Sequence, residues 1–185
     1  WVPSDALCTV LQILNHLQDC GDDLREIDRV YVVGDWMEEE GASVDDLRKE
    51  ALTPAMRRVV NRMLDGCETM MVEVRRLPFA LKSKHLAMES AVIVNLADRL
   101  LTLLRNGDPL AQRVALSKLD FAGAGLRGMV AGYFAAGKGV PGQGADAGVQ
   151  AGVVALKSRS IPAEEAIAQS LAALDWLRAL GCRMI

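Results

Sequence analysis

Aromatic side chains are scarce in this 185-residue chain: three Trp, two Tyr and three Phe, or 4% of the whole. With rings so few and Ala, Leu, Val, Met and Arg dominant, the composition favours helices over sheets. Cysteines number four (Cys8, Cys20, Cys67 and Cys182), lie far apart and form no CxxC pair. That spacing argues against a disulfide framework or a zinc ribbon and fits reduced thiols in a cytoplasmic protein. A basic excess is also missing: 21 Lys and Arg face 24 Asp and Glu, giving a net charge of −3. No electrostatic footprint for nucleic acid results. No apolar run reaches the roughly 18 residues that would span a bilayer. No secretory signal is evident, and the chain opens on Trp1 rather than Met, with the candidate cap Ser4–Asp5 immediately after. The expectation is a piece of something longer.

What is present is apolar and helical. Hydrophobic residues make up 51%, enough for a substantial core. Ser4 reads as an N-cap, with a helix running to about Leu24. The region from Asp28 to Ser43 is interrupted by Gly34 and Gly41 and reads as a loop with a short helical turn. Asp45 to Glu50 is a short polar segment. Thr53–Pro54 caps a helix in which Met56, Val59, Val60, Met63, Leu64, Met70, Met71 and Val74 recur on one face, and Pro78 is expected to end it. Ser83 caps the next helix, to about Arg105, with Leu86, Ile93, Leu96, Leu100 and Leu103 as its expected buried face. Asp108–Pro109 would open a short helix to about Ser117, and Leu119 to Phe134 a last one, weakened by four glycines. The expected fold class is all-α, a helical bundle over residues 1–134. A glycine-rich linker follows over 135–161, then an amphipathic helix over 162–185 striped by Ile167, Leu171, Leu174, Leu177 and Leu180.

Chemistry concentrates in the stretch from Gln12 to Tyr31. At about 100° per residue, Gln12, Asn15, Asp19 and Asp23 fall within an arc of roughly 80°. Val10, Ile13, Leu14 and Leu17 back them from the other side. Two carboxylates one turn apart, with amides above them and no basic residue on that face, suit a hard divalent cation and the phosphates it carries. A solvated acidic helix end is the plainer alternative on pattern alone.

The series Q-x-x-N-x-x-Q-D-x-x-x-D, followed by R-x-Y, resembles the second aspartate-rich motif of the squalene/phytoene synthase family. Here it comprises Gln12, Asn15, Gln18, Asp19 and Asp23, then Arg29 and Tyr31. The wording around it, with LAMESAVIVNLADRLL later in the chain, is most similar to the hydroxysqualene synthase branch. The resemblance implies an isoprenoid-synthase fold in which two aspartate-rich motifs face each other across a cavity and bind Mg²⁺, which grips a diphosphate. It assigns Asp19, Asp23 and Asn15 to the metal, and Gln12, Asn15, Arg29 and Tyr31 to substrate. Arg29 and Tyr31 would be the catalytic pair beside the diphosphate or the developing cation. The implied substrate is presqualene or farnesyl diphosphate. The implied reaction is conversion of presqualene diphosphate to hydroxysqualene in hopanoid biosynthesis, with head-to-head synthesis of squalene or phytoene as the alternative. Val33 stands where family members usually carry proline, and no other D-x-x-x-D spacing occurs in the chain. The chain therefore looks like the C-terminal half of a family member, expected to be inactive alone. It is expected in the cytoplasm, with peripheral contact at the inner membrane face as an alternative; the basic pairs Arg57–Arg58 and Arg75–Arg76 read as solvated, or as lying near an anionic membrane surface.

Other candidates carry less. His16 and Cys20 stand at i, i+4, as zinc ligands on a helix do, but no second pair is near, and packed positions are the simpler reading. Gly123–Ala124–Gly125–Leu126–Arg127–Gly128 matches G-x-G-x-x-G without a preceding strand or a βαβ context, so close helix packing is the better account. Ser117 and Ser170 lack a His and Asp context. Beyond Ala135 nothing is recognisable; the tail reads as an appendage or as sequence out of frame, and its stripe would also suit a non-catalytic helical interaction module.

Overall fold

The computed structural model describes residues 2–138. The linker and the final amphipathic helix expected from the sequence lie outside the described residues, apart from positions 135–138. Every regular element described is helical: α1 (Val2–Gln18), α2 (Cys20–Ile27), α3 (Gly34–Glu40), a 3-10 turn (Val44–Arg48), α4 (Pro54–Val74), α5 (Leu77–Ala80), α6 (Lys84–Asn106) and α7 (Lys118–Ala135). The all-α expectation holds over this region.

The core forms where α1, α4 and α6 meet. α4 follows its sequence pattern closely. Thr53 Oγ1 accepts the Met56 amide at 3.2 Å, Pro54 occupies the first turn, and all eight predicted apolar positions are buried together with Cys67. The methionines at 56, 63, 70 and 71 are core filler, at most 8% exposed. From α1 come Val10, Leu14 and Leu17, with Ile13 half-buried at their edge. Burial raises the Cys20 thiol to about 11 and the Cys67 thiol to about 12, so both stay protonated and packed.

Several boundaries differ from the sequence reading. α1 already includes Val2 and Pro3, so Ser4 lies within its first turn instead of capping it. Pro78 does not end α4; Arg75 closes it, and Pro78 sits in the first turn of α5, where its missing amide costs nothing. No helix opens at Asp108. Its carboxylate instead accepts the amides of Leu52 (2.9 Å), Leu110 (3.0 Å) and Ala111 (3.2 Å), and holds the segment as a cap-like turn.

The largest difference concerns α6. Leu86 is 53% exposed, and Ile93, Leu96 and Leu103 are half-buried. The buried positions are Ala87, Ser90, Ala91, Val94, Ala97, Leu100, Leu101 and Leu104. The cause is α7, which packs along α6 through its own smallest residues. A Cβ on Gly128 would meet the Val92 backbone at 2.5 Å, and one on Gly132 would strike the Ala87 carbonyl and the Met88 backbone. Two backbones this close admit no side chain from α7 at the contact, and the buried positions of α6 along this stretch are the small Ala87, Ser90 and Ala91. Ser117 and Asp120 form a reciprocal capping box that starts α7, and the Asp120 carboxylate also accepts Arg99 Nε at 2.6 Å. Those hydrogen bonds, from Ser117 first, hold the Asp120 carboxyl down at about 2.

Candidate metal and diphosphate site

The acidic stretch is not one helix. It breaks at Asp19, whose backbone lies at φ −102° and ψ 8°, between the helical and extended regions. The ladder survives the break: the Asp19 amide donates to the Asn15 carbonyl at 3.1 Å, and the Asp23 amide to the Asp19 carbonyl at 2.7 Å. α2 therefore continues the rotation of α1, and the kink leaves Gln12, Asn15, Asp19 and Asp23 in register, all partly buried. What bends the helix is the segment after α6. Leu110 packs where a side chain on Gly21 would stand, its Cδ2 2.7 Å from that position, and Gln18 Nε2 donates to the Val114 carbonyl at 2.6 Å. Gln18, a motif residue without an assigned role, is thus a clamp between the kink and residues 108–116.

The Asp19 carboxyl is raised above the usual carboxylate value. Partial burial is the chief cause, the Asp23 charge the next; Arg113 opposes them and Asp22 adds to them. Asp22 is spoken for, paired with Arg25 one turn on.

α2 ends in a left-handed Asp28, φ 52°, and the Arg29 amide returns to the Asp23 carbonyl at 3.2 Å. This reversal brings the R-x-Y exit back over α1. The Tyr31 ring stacks on His16, with centroids 3.6 Å apart and planes within 10°. Burial lowers the His16 pKa, against an opposing pull from Asp23, so the imidazole is neutral at pH 7. Its Nδ1 is buried without a hydrogen-bond partner. His16 thus serves as a platform for Tyr31 and not as a zinc ligand with Cys20, which is 1% exposed in the core. The structure brings Asp19, Asp23, His16 and Tyr31 together; Gln12 and Asn15 continue the stripe up α1, and Arg29 stands exposed at the rim. The sequence reading missed Arg113 as the opposing charge and His16 as the stacking partner. Neither left a local signal, since Arg113 reaches the motif only through the fold.

Among the described residues, no three His, Cys, Asp or Glu side chains share a possible metal position. Asp19 and Asp23 offer one wall of oxygen ligands, which fits a hard cation that keeps several waters and takes its remaining ligands elsewhere. The expected membrane-facing arginine pairs are engaged within the fold. Arg57 binds the Gly107 carbonyl at 2.7 Å, Arg58 pairs with Glu40 at 2.6 Å, Arg75 with Asp98 and Arg76 with Glu73 at 2.7 Å. No helix among the described residues is long and apolar enough to cross a membrane.

The model of the squalene/phytoene synthase family matches residues 3–120. The chain is 38% identical to hydroxysqualene synthase of Rhodopseudomonas palustris over 129 residues, which is 70% of this chain and 44% of that protein. Identity to the enzyme of the same name from Zymomonas mobilis is 37% over 123 residues, or 66% of this chain and 41% of that protein. The chain thus spans less than half the length of these relatives. A separate similarity, to 3-oxo-tetronate kinase of Burkholderia multivorans, reaches 64% identity over 45 residues, 24% of this chain and 10% of that protein. No solved structure matches the chain. With the family match extending over most of the described helices and taking in the whole aspartate stripe, the chain belongs to the squalene/phytoene synthase family.

Proposed function

We propose that this chain carries one aspartate-rich wall of a synthase that acts on a prenyl diphosphate with Mg²⁺. The observation that carries the reading is the Asp19 carboxyl, raised by burial and by Asp23, on the one face where acids and amides align. Asp19, Asp23 and Asn15 would hold Mg²⁺, which when bound neutralises diphosphate as it leaves the carbon chain. Gln12 extends the stripe toward substrate. Arg29 supplies positive charge at the rim, toward the diphosphate. Tyr31, fixed flat against a neutral His16, presents an oriented ring beside the same face without adding a charge that would repel a developing carbocation. The apolar backing of Val10, Leu14 and Leu17 keeps water from the helix interior and the stripe rigid.

Similarity to hydroxysqualene synthases favours presqualene diphosphate as substrate: the C–O bond to diphosphate breaks, the cyclopropylcarbinyl cation left behind rearranges with opening of its ring, water adds to the rearranged cation to form the C–OH bond, and the proton that water loses leaves with the diphosphate. That would place the parent enzyme in hopanoid biosynthesis; head-to-head synthesis of squalene or phytoene is the alternative within the family. This chain spans 44% of that relative's length, and the role proposed for it is to bind metal and diphosphate through this one acidic wall.

Titration calorimetry with MgCl₂ and a non-hydrolysable farnesyl diphosphate analogue tests the assignment. Heat is expected from the native chain and at least tenfold weaker binding from Asp19→Asn and from Asp23→Asn. Equal binding by the native chain and both variants would sink the reading.

A further inference from the structure

α7 is built inside out. Its small residues Ala124, Gly128, Gly132 and Ala135 are buried against α6, while its bulky ones face away: Leu119 is 84% exposed, Leu126 66%, Met129 50%, Val130 53%, Tyr133 50% and Phe134 62%. At about 100° per residue these six side chains fill one arc of roughly 140°, centred opposite the buried glycines. Scattered exposed leucines need no explanation, but six large apolar side chains on one helical face do.

The charges beside the arc say what kind of surface covers it. Lys118 borders it on one side and Arg127 on the other, and Lys138 follows the helix. Lys84 reaches over the Tyr133 ring, its Nζ 4.4 Å from the centroid. The one acid on α7, Asp120, is turned back to Ser117 and Arg99 and is unavailable to the outer face. Beside the start of the helix a groove of about 290 Å³ is lined by Arg99, Leu119, Asp120 and Arg127; Asp120 pairs with Arg99 there, which leaves Arg127 as the cation beside the apolar edge. An apolar arc with aromatic rings, basic flanks and no opposing acid is the pattern of a helix lying in the plane of an anionic bilayer. A second copy of this face would set basic flank against basic flank. A covering protein segment would need to supply acids on both sides of the arc.

We propose that α7 seats this fold on a membrane surface rich in anionic lipid, with Leu126, Val130 and Phe134 entering the acyl boundary and Lys118, Arg127 and Lys138 meeting the headgroup phosphates. The binding is peripheral. It places membrane contact on a face that the sequence reads only as a weakened helix, and not at Arg57–Arg58 or Arg75–Arg76.

Flotation of the full chain with vesicles of phosphatidylcholine, with and without about one third phosphatidylglycerol, tests this. Binding to the anionic vesicles is expected to exceed binding to neutral ones by at least tenfold and to fall with added salt. Leu126→Glu with Val130→Glu should abolish it, and Arg127→Glu should weaken it severalfold. Both glutamates replace exposed side chains, so helix content and thermal midpoint should hold, and a circular dichroism melt verifies that each variant folds. The proposal fails if neutral and anionic vesicles bind alike, if the folded double variant still floats, or if the native chain does not float. Loss of a dimer in sedimentation by the double variant, with no vesicle binding by the native chain, would assign the face to a second copy instead.

Discussion

The glycines of α7 offer a test in which one helix supplies both the perturbation and its control. Gly128 and Gly132 meet α6 backbone where their Cβ atoms would be, whereas Gly123 and Gly125 have nothing within 4 Å of theirs. Alanine is a better helix former than glycine by about 0.8–1.0 kcal/mol, so Gly123→Ala and Gly125→Ala should each stabilise by up to about that amount. At Gly128 the same gain meets a clash. A new methyl 2.5 Å from Val92 Cα and amide nitrogen cannot be relieved by a rotamer change, because the obstacle is main chain. The helices must part by roughly 1 Å, and overpacking of this kind costs about 1–3 kcal/mol. Net loss for Gly128→Ala is therefore up to about 2 kcal/mol, and the Gly128→Ala, Gly132→Ala double variant should lose up to about 4 kcal/mol. Thermal unfolding followed at 222 nm reads the difference, at about 2–8 °C per kcal/mol for domains of this size range. The two pairs must move the midpoint in opposite directions. If all four alanines raise it, α7 does not pack on α6 through its glycines, and the exposure of its large side chains loses its basis.

Asp19→Asn should stabilise the apo protein at pH 7. A carboxyl raised above its unfolded value of 3.8 means the native state holds its proton more tightly than the unfolded chain, so the penalty is present at neutral pH and is relieved as pH falls through the raised value. The group is about half exposed and screened by water, so the gain is on the scale of an exposed pair, about 0.2–1 kcal/mol. The difference in midpoint between native and variant should shrink from pH 7 toward pH 4, and a constant difference would mean that the Asp19 carboxyl is not raised. Ending the chain after Lys138 should leave the Mg²⁺ and diphosphate response within about twofold of the longer protein, measured by calorimetry. A loss beyond tenfold would show that residues 139–185 take part in the site.

What could be read without coordinates was whatever one helix encodes by its own period. The α4 stripe is legible because a single broad apolar face meets the core and Thr53–Pro54 marks its start. The alignment of Gln12, Asn15, Asp19 and Asp23 along one side is legible for the same reason. Its kink was not, since Leu110 and Val114 press on Gly21 and Gln18 from almost a hundred residues away. Asp108 misled because Asp-Pro opens helices as readily as it caps turns, and here its carboxylate is taken by Leu52 and by its own loop.

α6 and α7 show a deeper limit. Apolar periodicity ranks positions by size and greasiness, on the premise that the largest go inside. That premise fails at a contact where backbones touch, because there the smallest residues go inside and the largest are displaced outward. For α6 the consequence was a misplaced face. For α7 it was a helix with apolar residues all round, whose period looks featureless although both of its faces are specified. A helix apolar all round is stable only when both faces are covered. α6 covers one. The other, basic at its edges and open along its length, is a property of this chain that the aspartate stripe neither requires nor explains, and the metal-binding role proposed for that stripe can be tested independently of it.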